Sequence, residues 1–61
     1  MKYNQLIRLL KKDGWFVIRQ TGSHLIMGHH VKIRRVICLN HGSKEVGKGL
    51  EIRIKKDAGL L

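Results

Sequence analysis

The sequence predicts an α+β domain of two layers, in which a three-stranded antiparallel sheet carries two helices on one face in the order helix, strand, strand, strand, helix. Three observations predict it. A helical spacing of apolar residues occupies the first 13 positions, two β-rich runs are separated only by Gly22-Ser23, and a second helical spacing closes the chain. The 61 residues make one domain, 1–61, and a chain this short buries only about 60% of the surface its unfolded form exposes. It has no room for a deep cavity. Any site must be a surface groove, which suits a polymeric ligand better than an enclosed small molecule.

Tyr3, Leu6, Ile7 and Leu10 fall at i, i+3, i+4 and i+7, with Asn4, Gln5, Arg8, Lys11 and Lys12 opposite, which predicts an amphipathic helix over Asn4 to Asp13. Gly14 supplies its stop, and Lys11 and Lys12 complement the negative end of its dipole. Trp15 to Thr21 and His24 to His29 are rich in β-branched and apolar residues and predict two strands. The Gly-Ser pair between them has the composition of a two-residue hairpin turn, with Gly22 at the first central position, where φ must be positive. A polar, basic loop follows, and Arg35 to Leu39 predicts the third strand. Trp15 to Ile18 and Val36 to Leu39 are apolar throughout, so alternation leaves open which strand faces are buried. Asn40 to Lys44 is a turn-rich loop. Leu50, Ile54 and Ala58 then recur every four residues, with Glu51 in the first turn, Lys55 and Lys56 in the last, and Gly59 as the stop.

Thirteen Lys and Arg against four Asp and Glu give a net charge of +9 and a pI near 10.5. So much positive charge on so small a surface points to an anionic partner, either nucleic acid, an acidic protein or, least of the three, an anionic membrane surface. No apolar run approaches the roughly 20 residues of a spanning helix, and neither end carries a signal-peptide or lipidation pattern, so the expected setting is cytoplasmic and away from membranes. Four histidines and one cysteine do not have metal-site spacing: His29 and His30 are adjacent, and Cys38 with His41 is a single pair. No phosphate-cradling glycine motif is present, and no cofactor is expected. Cys38 reads as a small core residue.

Arg19, Lys32, Arg34, Arg35, Lys48 and Arg53 are the candidate phosphate contacts, since such groups supply sequence-independent, salt-sensitive affinity for nucleic acid. One Trp, one Tyr and one Phe are few for recognition by stacking, which favours backbone or shape recognition. His24, placed at the start of a strand by the Gly22-Ser23 turn, is the candidate general acid or base, because imidazole alone titrates near neutrality. The bland alternative is a surface histidine beside a turn.

The chain resembles the HicA-type toxins of bacterial toxin–antitoxin systems over almost its whole length. The resemblance rests on Leu6-Ile7 and Leu10, Gly14-Trp15, Arg19-Gln20-Thr21-Gly22-Ser23-His24 and the terminal Lys56-Asp57-Ala58-Gly59-Leu60. It implies a double-stranded-RNA-binding-like fold, endonucleolytic cleavage of messenger RNA with or without the ribosome, and neutralisation by a HicB-type antitoxin. The family's catalytic histidine falls on His24 and its turn glycine on Gly22. Leu25 stands where family members often have a second histidine, and the chain lacks the proline they carry near the end of the third strand. Two functions are therefore expected to compete: an RNA endonuclease toxin using His24, with water or His29 in the second proton role and Arg19, Lys32 or Arg35 as charge partners, or a non-catalytic RNA-binding module of the same fold.

Overall fold

The computed structural model describes residues 1–61 and contains α1 (Tyr3–Lys12), β1 (Trp15–Thr21), β2 (His24–His29), β3 (Val36–Leu39) and α2 (Lys48–Asp57). Helix α1 begins where the Gln5 side chain accepts the Lys2 N–H at 2.8 Å and ends where Asp13 N–H bonds back to Leu9 and Leu10. Gly14 then turns the chain at φ 106°, and a Cβ there would lie 2.7 Å from the His29 ring. Conformation and space both require glycine.

The sheet is antiparallel in the order β1-β2-β3. Its faces are set by one irregularity. Val17 pairs with Met27 and Arg19 with Ile26, so Ile18 is an extra residue, a β-bulge in β1. Across it the pairing runs Phe16 with Gly28 and Thr21 with His24, which places Phe16, Arg19 and Thr21 on the same sheet face although their spacing in β1 is odd as well as even. That face also carries His24, Ile26 and Gly28 of β2, and Ile37 and Leu39 of β3. The opposite face presents Trp15, Leu25, Met27, Val36 and Cys38, all buried, to Leu6 and Leu10 of α1 and Ile54 of α2. Both helices thus cover one face and leave the other to solvent.

Helix α2 departs from the expected stripe. It starts at Lys48, and its inward positions are Glu51, Ile54 and Ala58, while Leu50 remains 38% exposed. The Glu51 carboxylate is buried because it meets Lys55 Nζ at 2.9 Å and the Met1 amine at 3.3 Å. These two cations hold it below the usual carboxylate range, Lys55 most strongly. A charge with two partners can occupy a core-facing position that apolar periodicity assigns to a neighbour.

Candidate active site

His24 is the first residue of β2, and three backbone restraints fix it. Gly22 has φ 58° and Ser23 a negative φ, which is the pattern of a hairpin turn with glycine at the first central position. Gln20 Nε2 donates to the Gly22 carbonyl at 2.9 Å and braces that turn from within the strand. On the other side Asn40 N–H donates to Ser23 C=O at 2.7 Å, which ties the turn to the end of β3. The imidazole therefore stands on a rigid rim and is itself exposed. Its cross-strand neighbours are Thr21 and Leu39, and Ile26 two positions along is flanked by Arg19 and Ile37. By register, Arg19 is the cation of the open face that stands one pair away from His24.

The other three histidines are engaged within the fold. His29 Nε2 lies 2.7 Å from the Asp13 carbonyl, so it carries the proton and donates, while Nδ1 accepts from the backbone N–H groups of Val31 and Lys32 at 3.1 and 3.2 Å. Both ring nitrogens are engaged, and the ring packs edge-on against Trp15. It also lies five residues along β2 from His24, roughly 16 Å in an extended strand. The expectation that His29 takes the second proton role is therefore corrected: it is a strut between strand and helix end. His41 packs edge-on against Tyr3, and His30 lies against Phe16 with ring centroids 4.9 Å apart.

Lys32 is likewise drawn inward. Its Nζ donates to Asp13 Oδ2 at 2.6 Å and to Ala58 C=O at 2.8 Å, and it lies 5.9 Å from the centroid of the Trp15 ring. The ammonium holds the Asp13 carboxyl below its ordinary range and serves the C-terminal ends of both helices at once. Two of its donors are thus directed at protein acceptors, an inward placement that differs from the phosphate contact and the His24 partnership expected of it.

The remaining cations sort differently. Arg35 and Arg53 line a shallow groove with Ile37, Leu50, Ile54 and Asp57, where the edge of β3 meets α2. Arg34 reaches Asp57 at 3.3 Å but is largely exposed, and Lys48, at the start of α2, is 82% exposed. Arg19 on the sheet, Arg35 and Arg53 in the groove, and the exposed Arg34 and Lys48 are the cations available to a candidate basic path. Two participants were missed in the sequence: Gln20, whose role depends on the turn carbonyl it meets, and Asp13, whose role depends on Lys32 arriving from 19 residues away. No helix of the chain is long and apolar enough to cross a membrane.

The sequence profile of the family described as “HicA toxin of bacterial toxin-antitoxin” matches residues 3–60. A protein of Pseudomonas fluorescens (strain Pf0-1) described as “Probable mRNA interferase HicA” is 39% identical over 64 aligned positions, which cover 98% of this chain and 97% of that protein.

Proposed function

The chain belongs to the HicA family of bacterial toxin–antitoxin toxins, and from that premise we propose that it is an endoribonuclease acting on messenger RNA with His24 as its proton-transfer group. One observation carries the assignment: His24 is the imidazole that is neither hydrogen-bonded nor stacked within the chain, and it stands on the open face at a rim fixed by Gly22, Ser23 and Gln20.

RNA contains its own nucleophile. The 2′-oxygen attacks the adjacent phosphorus in line with the departing 5′-oxygen, and the products are a 2′,3′-cyclic phosphate and a 5′-hydroxyl. Neutral His24 removes the 2′-hydroxyl proton, or its protonated form delivers a proton to the leaving oxygen, and water fills the complementary role. Arg19, one pair away on the same face, offsets charge on the phosphorane in this reading. Arg34, Arg35, Lys48 and Arg53 bind flanking phosphates and position the strand.

His24→Ala should stay folded and bind RNA nearly as well as the wild type, yet cleave about 10² to 10⁴ times more slowly. Cleavage that survives this substitution, or cleavage by the wild type that stops on adding EDTA, overturns the assignment. Salt-sensitive RNA binding with no cleavage by the wild type would leave the RNA-binding module as the function. The inhibitory partner is a HicB-type antitoxin whose carboxylates cover the basic path and occlude His24, so its association should be fast at low salt and slow at high salt.

A further inference from the structure

Phe16 is 40% exposed on the same open sheet face as His24, at the other end of β2. It reaches that face through the bulge at Ile18; an unbroken β1 would turn Phe16 and Thr21, five residues apart, to opposite sides. Across from it is Gly28, which has no side chain to stand beside the ring. The space is used by its neighbours: a Cβ on Gly28 would lie 2.6 Å from Ile18 Cδ1 and 3.6 Å from Arg35 Nη1. His30 lies against the Phe16 ring, tilted by 35°. The result is an apolar patch of Phe16 and Ile18, with the His30 imidazole packed on one side of the Phe16 ring and the Arg35 guanidinium over Gly28.

Resting on the RNA-cleaving function above, we propose that Phe16, His30 and Arg35 form a stacking subsite for one nucleobase of single-stranded RNA, a few nucleotides from the phosphate at His24. The chemistry of the face favours a nucleotide over a protein ligand. Its charged or titratable members are Arg19, His24, His30 and Arg35, whereas the four carboxylates are placed elsewhere: Asp13 on Lys32, Glu45 on the Met1 amine, Glu51 on Lys55 and Asp57 on Arg34. An aromatic ring beside unneutralised cations receives the base on its face and the phosphates at its border. Four residues of β2 separate His24 from Gly28, about 13 Å, so a strand lying along β2 meets both ends. The scarcity of aromatic residues had favoured recognition by shape alone; one aromatic in the right place is sufficient for a single subsite.

The test is an abasic scan. A single-stranded RNA of about ten nucleotides, within the usual site size of such surfaces, is made uncleavable by one 2′-deoxy substitution at the mapped cleavage site, and one abasic nucleotide is moved along it. Wild-type affinity should fall about tenfold at one position a few nucleotides from that site and little elsewhere. Phe16→Leu should bind the intact RNA about tenfold more weakly and lose the positional dependence, and with cleavable RNA it should raise KM while leaving kcat nearly unchanged. A flat scan on the wild type overturns the subsite without recourse to any variant. So does a Phe16→Leu protein that keeps its RNA affinity but loses affinity for an acidic protein partner. Because the scan reads binding, failure of His24 as the catalytic group would leave its result intact.

Discussion

Gly14 and Gly22 both hold positive φ, 106° and 58°, yet substitution should damage them unequally. A Cβ on Gly22 meets nothing within 4 Å, so Gly22→Ala bears only backbone strain of about 1–3 kcal/mol. Gly14→Ala bears that strain and a contact with the His29 ring at 2.7 Å, and it should lower the thermal midpoint more than Gly22→Ala does. Cleavage per folded molecule should show the reverse order, since Gly22 positions His24 and Gly14 does not; Gly22→Val should be lower still. Equal activity in wild type and Gly22→Val would show that the turn does not position the ring. At this scale the place of His24 beside the turn and the positive φ of Gly22 were legible in the sequence, because a two-residue turn is a local property. His29 and Lys32 were not. Their roles depend on Asp13 and Ala58, which only the folded chain brings alongside.

Among the elements, both hairpin strands were legible to the residue, because turn chemistry and β-branched composition act over short range. The third strand starts one residue later than expected, at Val36, where Arg35 leaves the ladder for the groove. Strand parity was hidden by the bulge, which lets an unbroken apolar run serve both faces. The inward face of α2 was misread for a different reason: Glu51 is apolar in neither composition nor periodicity, and its burial follows from cations on α2 itself and at Met1. That burial has a measurable sign. Glu51 and Asp13 both titrate below their ordinary values in the folded chain, so their contribution to stability is complete above about pH 4.5 and is lost as pH falls through the lowered values. The Met1 amine is shifted upward, chiefly by Glu51, and its share is present below its ordinary value and lost as pH rises through the raised one. Glu51→Gln should therefore melt below the wild type at pH 6 and converge with it as pH falls through the lowered value of the carboxyl. A gap that persists at acid pH would assign the stabilisation to packing instead of charge.

For the whole molecule, the fold class and the net charge of +9 were legible at once, but the distribution of that charge was not. Lys32 and Lys55 are held closely by carboxylates, whereas Arg19, Arg35 and Arg53 have no carboxylate partner. Log affinity for RNA should fall linearly with log salt, and Arg35→Ala or Lys48→Ala should flatten the slope by about one contact or less, uniformly across sequences. Lys32→Gln should leave the slope unchanged; a flattened slope would return Lys32 to the phosphate set. The same substitution has a second effect, set by where the Lys32 ammonium sits. Helix ends in small proteins normally fray independently, and here one amine bridges the ends of α1 and α2, with Leu60 N–H folded back onto Lys55 C=O at 2.8 Å beside it. Amide hydrogens at Asp13 and Leu60 should exchange with solvent as one cooperative unit, nearly as slowly as those of the sheet, and in Lys32→Gln both should accelerate together while the strand amides keep their protection.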